Sequence, residues 1–194
     1  GKGRANSSHK IAKTVGVLAR WLKYTLPRHA LLMLYNSLVL PYLNYCTMVW
    51  ANENTANKLH KIYILQKKAV RIICSMAYTA HSAPGFKILK LLTISDISKL
   101  QLAEFMYKYS NKLLPKTFQH LFTTNANIHS YGTRQACHYH LSSITTSLRK
   151  YSISTTGPKI WNALSKEIKS AASLHKFKNQ LKSTYLGNYI WNPA

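Results

Sequence analysis

Residues 59–76, LHKIYILQKKAVRIICSM, carry two patterns at once. Ile62, Leu65, Ala69, Ile72 and Met76 recur at three- and four-residue steps, the period that aligns side chains along one stripe of an α-helix. Lys61, Lys68 and Arg71 share another face, with Lys58 and Lys67 flanking it. A helix of this kind buries its apolar stripe and leaves its cations outside. Solvent often covers such a face. Here, however, no acid occurs from Asn54 to Ser95 to neutralise it, so a phosphate-facing surface is the better reading.

The same period extends in both directions. KIAKTVGVLARWLKYTL aligns Ile11, Val15, Leu18 and Leu22, with Lys10, Lys13, Arg20 and Lys23 elsewhere, and ends before Pro27. The next helix, from about residue 28, is apolar on nearly every side and is expected at the centre of the core. Pro41 must kink or divide it. HSAPGF, residues 81–86, breaks the pattern with turn residues. TISD, residues 93–96, has the Thr-x-x-acid form of a capping box ahead of ISKLQLAEFMYKYS. In that helix Ile97, Leu100, Phe105, Met106 and Tyr109 are expected core residues. Toward the other end, GPKIWNALSKEIKS predicts a helix with Pro158 near its first turn and a stripe of Ile160, Trp161, Leu164 and Ile168. Trp161 is expected to pack in the core. Ser173 can cap SLHKFKNQLKSTYL, whose Leu174, Phe177 and Leu181 face inward while Lys176, Lys178 and Lys182 stay exposed.

Charge narrows the partners. The 194 residues hold 27 Lys and Arg against four acids, Glu53, Asp96, Glu104 and Glu167, for a formal net charge of +23. Such a charge repels itself in a compact chain and is best balanced by a polyanion, with nucleic acid the default. A hydrophobic content of 46% still permits a substantial core. The uncharged run from Ala30 to Asn52 is long enough to span a bilayer. Yet it contains Asn36, Ser37, Pro41, Asn44 and Thr47, and its aromatic residues do not gather at two ends, so a buried helical hairpin is expected and no membrane span. The basic, polar N-terminal stretch GKGRANSSHK has no apolar region behind it and does not read as a signal peptide. Cys46, Cys74 and Cys137 are far apart and form no disulfide framework, which fits the reducing cytoplasm or nucleus.

From Thr123 to Thr156 helical periodicity disappears, and HYHLSSITTSLRKYSIS has the β-branched alternation of short strands. NIHSYGTRQACHYH, residues 127–140, brings His129, Cys137, His138 and His140 close in sequence. A structural zinc site pairs two nearby ligands with a second pair at a distance, and no Cys-x-x-Cys supplies one here. No metal and no cofactor are therefore expected. Two-metal nucleotidyl transfer and glycoside hydrolysis both need grouped carboxylates, which four scattered acids do not provide. Nor is there a phosphate-cradling glycine loop, because GKGR lacks the Walker spacing.

Seven blocks in order carry a resemblance: LYNSLVLPYLNYCTMVW, LHKIYILQKKAVRIIC, HSAPGF, LQLAEFMYKY, IHSYGTRQ, GPKIWNAL and SLHKFKNQLK. Together, over roughly residues 10–186, they resemble the C-terminal part of LINE-type non-LTR retrotransposon reverse transcriptases. The resemblance implies a helical thumb over residues 10–80, which grips template and primer. It implies a C-terminal extension beyond it that helps hold template RNA and target DNA in target-primed reverse transcription. The family's catalytic aspartates lie in the palm; these residues include a single aspartate, Asp96, so no polymerase activity is expected from this chain alone. Gly85 stands where the family commonly has leucine, and its presence removes an anchor from the loop.

The expected architecture is mainly α. A basic tail at 1–9 precedes a thumb-like helical bundle at 10–80, a loop and helices at 81–122, a polar segment of loops or short strands at 123–158, and C-terminal helices at 159–194. The expected nucleic-acid contacts are Lys58, Lys61, Lys67, Lys68 and Arg71 on one helix, with Arg134, Arg149 and Lys150 on a second surface. Tyr131, beside Arg134, could stack on an unpaired base. RNA, an RNA/DNA hybrid and DNA all fit as partners, and by resemblance so do the palm and fingers of a reverse transcriptase. Two other readings stay open: a basic structural protein of a ribonucleoprotein, and a helical module that docks on a polymerase palm in trans through the run from Leu31 to Trp50.

Overall fold

The structure, a computed structural model, describes residues 2–45, 47, 56–128 and 132–189; the side chains of 2–8, 21, 56–58 and 147 lie outside that description. The chain is mainly α, and its described residues form no sheet. Helix α1 (Lys2–Val17) runs into a π-helical turn at Leu18–Leu22, followed by α2 (Arg28–Leu38), α3 (Leu40–Asn44) and the long α4 (Ala56–Ile73). Then come α5 (Ala83–Ile88), α6 (Ile94–Ser110), 3-10 turns at Lys116–Phe118 and Asn125–Asn127, α7 (Ser147–Lys150), α8 (Ile153–Ala163), α9 (Lys166–Lys169) and α10 (Leu174–Gly187). The described residues divide into two compact units, one drawn from the spans 1–51, 55–98 and 183–194, the other from 99–182.

In the first unit, α1 and α2 pack on α4. Ile11, Val15 and Leu18 are buried, as are Ile62, Ala69 and Ile72, so both predicted stripes face the core. Pro41 divides the apolar run: α2 ends at Leu38 and α3 restarts with Pro41 in its first turn. That run is not central, however. Only Leu31 and Tyr35 of α2 are buried, while Met33 is 66% exposed, because the helix turns a single side, one turn apart at Leu31 and Tyr35, to its neighbours α3 and α4. The residues of the run at 46 and 48–52 lie outside the described ones.

One polar residue ties this unit together. Gln66, on the buried side of α4, donates from Nε2 to the Leu92 carbonyl at 2.7 Å and to the Tyr35 hydroxyl at 3.1 Å. Its Oε1 accepts from the Ile94 amide at 3.0 Å, one of the first-turn donors that α6 cannot satisfy internally. Burial pushes the Tyr35 hydroxyl up to about 12. The capping box at 93–96 forms in a modified way. The Asp96 amide donates to Thr93 Oγ1 at 3.3 Å, but the reciprocal bond is relayed: the Thr93 amide donates to the Tyr189 hydroxyl, which donates to Asp96.

Gly85 is no missing anchor. Phe86 fills that role, 2% exposed, and a Cβ on Gly85 would lie 2.6 Å from Val70 Cγ1, so α5 approaches α4 at a distance only glycine allows. Left-handed residues end three of the helical segments: Ser75, Lys90 and Lys112 have φ of 53°, 51° and 55°. Each closes a Schellman motif, as in the Leu91 amide to Phe86 carbonyl bond of 2.9 Å and the Lys90 amide to Lys87 carbonyl bond of 3.1 Å.

In the second unit, Met106 and Tyr107 of α6 pack on α8 and α10: a Cβ on Gly157 would lie 2.8 Å from Met106 Sδ, and the Tyr107 and Phe177 rings are 4.7 Å apart. Trp161 is buried as expected. Pro158 lies inside α8 and not in its first turn, because the helix begins at Ile153, upstream of the glycine. The stripe through Leu164 and Ile168 is also interrupted: Leu164 turns extended and α9 starts anew at Lys166. Ser173 caps α10, accepting from the Lys176 amide at 3.2 Å. Lys178 does not stand free but pairs with Glu104 at 3.1 Å. The short strands expected within 138–154 do not form; a single antiparallel bridge joins Thr124 to Tyr139, and α7 and α8 take up the end of the segment. The Asn162 side chain holds that bridge by giving and taking hydrogen bonds with the Tyr139 backbone at 2.8 and 3.1 Å, which no period in the sequence announces.

Candidate nucleic-acid interface

Helix α4 sorts its cations by what each one touches. Lys61 and Lys68 are exposed and seven residues apart, about 10 Å along the axis. Ile64, 46% exposed, lies on the same face. Lys67 is half-buried with its Nζ 4.6 Å from the Tyr63 ring centre, so its stem covers an aromatic face that stacks in turn on Phe86. Arg71 donates from Nε to the Ala80 carbonyl at 2.7 Å, which closes the turn after α4 and leaves the rest of its guanidinium for other contacts. Lys58 lies in α4, with its side chain outside the described residues.

Among the described residues Asp96 and Glu104 are engaged within the fold; Glu53 lies outside them. Asp96 accepts from Thr93 Oγ1 at 2.7 Å and from Tyr189; Glu104 pairs with Lys178. Glu167 sits in the first turn of α9, where a negative charge complements the helix dipole. Burial pushes the Tyr189 hydroxyl well above the usual tyrosine range, and its hydrogen bond to Asp96 raises it further.

The second unit carries the remaining expected contacts. Arg134 is exposed in the turn at 134–137. Arg149 and Lys150 are exposed on α7, whose N-cap Thr146 accepts from the Arg149 amide at 3.4 Å. The Arg149 carbonyl accepts from Ser152 Oγ and Thr155 Oγ1, both at 2.8 Å, so the backbone of this basic turn is fixed while its side chains face outward. Lys150 lies 5.3 Å from the Tyr151 ring centre. Tyr131 falls outside the described residues. Lys169 is a cation turned inward: its Nζ donates to the Asn162 carbonyl at 3.3 Å, and burial lowers its pKa.

The histidine-rich stretch has a structural role in its backbone. The His138 carbonyl accepts from the Asn125 amide at 2.9 Å and the His140 amide donates to the Thr123 carbonyl at 2.8 Å. Among the described residues no three His, Cys, Asp or Glu gather into a metal-binding group; His129 lies outside them. No described helix is long and apolar enough to cross a membrane. Comparison with protein-family models, with curated proteins and with solved structures finds no match to this chain.

Proposed function

We propose that this chain is a non-catalytic nucleic-acid-binding part of a LINE-type reverse transcriptase, corresponding to thumb and C-terminal extension, that holds RNA template and RNA/DNA or target DNA. The observation that carries the binding reading is the outer face of α4, where Lys61 and Lys68 stand exposed while Asp96 and Glu104 are taken up inside the fold. Four acids cannot offset 27 cations, and a phosphate backbone can. The assignment to reverse transcriptases rests on the resemblance of the seven blocks. Lys61 and Lys68 grip phosphates, with Lys67 and Arg71 beside them, and Arg134, Arg149 and Lys150 supply a further basic surface. A nuclear or cytoplasmic location fits this role.

Fluorescence anisotropy of the purified chain against hairpin RNA, an RNA/DNA hybrid and duplex DNA, with salt varied, tests the proposal. Binding should weaken linearly in log-log salt, and Lys61→Glu with Lys68→Glu should lower the slope by about two. Absence of binding at about 50 mM salt, where several phosphate contacts should be strong, would overturn it. Met33, Leu38 and Tyr45, exposed by 66%, 46% and 75%, favour a second reading in which the α2–α3 region docks on a polymerase palm. Aggregation of the isolated chain, relieved by a palm fragment, would support that reading.

A further inference from the structure

A cavity of about 460 Å³ opens in the second unit between the C-terminal end of α6, the 3-10 turn at Lys116–Phe118 and the Thr124–Tyr139 bridge. That volume lies within the range of small-ligand sites. Its wall is aromatic: Tyr109, Phe118, Phe122 and Tyr139 all line it. The Tyr109 and Phe122 rings meet edge-on at 4.7 Å, and Tyr139 lies 5.7 Å from Tyr109 and 5.8 Å from Phe122. This cluster is held rigidly. The Tyr109 hydroxyl is engaged with the backbone of Phe122, donating to its carbonyl at 2.9 Å and accepting from its amide at 3.2 Å, while Asn162 clamps the backbone of Tyr139. Phe118, in contrast, is 40% exposed.

The polar lining is chemically selective. Asn127 contributes an exposed side-chain amide, a paired donor and acceptor, and Lys112 and His120 contribute basic groups. No carboxylate lines the cavity. A cationic guest therefore finds aromatic faces but no counter-charge, in a chain whose net charge of +23 repels it. A planar neutral guest attached to an anion meets the opposite situation: faces to stack on, an amide for its polar edge, and cations for the charge beside it.

We infer that this cavity receives one unpaired base of a single-stranded nucleic acid, stacked against the aromatic wall and read at its edge by Asn127, with Lys112 and His120 meeting the flanking phosphates. The inference rests on the proposed nucleic-acid binding and adds to it a site that distinguishes single strands from duplexes. A duplex keeps its bases stacked on one another, so only an unpaired base can enter.

The test uses the full chain and an RNA strand of about twelve nucleotides carrying one 2-aminopurine, alongside a duplex of equal length. Binding of the single strand should change the 2-aminopurine emission. Phe118→Ala combined with Asn127→Ala, both at exposed positions, should weaken single-strand binding about tenfold and leave duplex binding unchanged. Lys61→Glu with Lys68→Glu should weaken both. If the unaltered chain binds both probes and the cavity variant binds both equally well, the inference is wrong. If it binds neither, the proposed function itself falls. Far-UV circular dichroism checks that the variant folds. Photocrosslinking of a 4-thiouridine strand to the unaltered chain provides a reading without mutation: crosslinks in residues 109–127 are expected, and crosslinks confined to other segments, or displacement of the strand by an aromatic peptide that occupies the cavity more tightly, would assign it to another guest.

Discussion

Replacing Gln66 with leucine should be among the most damaging single changes in the first unit, although leucine is apolar, similar in size and suited to a helix. Gln66 is fully buried, and its three hydrogen bonds reach three separate elements: Tyr35 on α2, Leu92 in the loop before α6, and Ile94 in the first turn of α6. Leucine fills the volume and avoids a large cavity, so the cost lies in the partners. The Leu92 carbonyl, the Ile94 amide and the Tyr35 hydroxyl each lose a partner in a dry site, at about 1–3 kcal/mol apiece, and leucine recovers part of that by sparing the burial of an amide. A net loss of about 3 kcal/mol follows. That is a large share of the 5–15 kcal/mol that holds a typical protein folded.

Urea unfolding followed by far-UV circular dichroism gives the stability change, and hydrogen exchange at the Ile94 amide gives its local counterpart. The exchange of that amide should speed up even where the helix remains. Lys68→Leu, on the exposed face of the same helix, is the control and should stay within about 0.5 kcal/mol. A Gln66→Leu change below about 1 kcal/mol, with Ile94 still protected, would refute the view that this amide joins the three elements.

Gly85→Ala should destabilise by about 2 kcal/mol in the same unfolding assay, because its Cβ would press on the fully buried Val70 at 2.6 Å; a neutral result would show that α5 can back away from α4. Lys90→Gly should stabilise by about 1 kcal/mol in thermal unfolding, since φ of 51° strains any residue with a Cβ. Alkaline pH should unfold the chain through its buried tyrosines. With Tyr35 raised from 10 to about 12 by burial, its contribution is fully present below pH 10 and is lost as pH rises toward 12, so a stability–pH profile should fall across that window and Tyr35→Phe should make the fall shallower.

The helical fold was legible where one side of a helix is apolar for long enough to set a phase. Residues 59–76 and 10–26 each supply several turns with a single stripe, and Ile11, Val15, Leu18, Ile62, Ala69 and Ile72 are buried as the period requires, while Leu22, Leu65 and Met76 at the stripes' edges are half-buried. Legibility failed where the pattern is symmetric or short. The run after residue 28 is apolar all round, which describes an interior helix; an eleven-residue segment that turns one side to α3 and α4 nonetheless leaves Met33 and Leu38 outside. The stretch around 138–154 has strand-like composition, but a strand requires a partner along its length. Among the described residues the segment finds a single bridge, at Tyr139, whose backbone Asn162 also holds. Gly85 is hard to read for a related reason: glycine gives no periodic signal, and whether it marks a lost side chain or a close approach depends on the neighbour, here Val70.

For the candidate interface, sequence distinguished charge from apolar surface but not one lysine from another. Lys61, Lys68 and Arg71 share one face in a helical projection with Lys67 beside it, and nothing in the projection says which of them is engaged. In the fold Lys67 lies on the Tyr63 ring and Arg71 closes a turn through Ala80, so Lys61 and Lys68 are the pair held by neither role. The aromatic cavity shows the converse. Its residues are spread from Tyr109, at the end of a helical stripe, to Tyr139, in a segment without one, and each one alone reads as ordinary packing. What joins them is the Schellman end of α6, which turns the chain at Lys112 and brings the backbone of Phe122 to the Tyr109 hydroxyl, with the Thr124–Tyr139 bridge adding the last ring. A site assembled by turns leaves its composition in the sequence but not its geometry. The basic helix could therefore be read residue by residue, whereas the cavity required the fold.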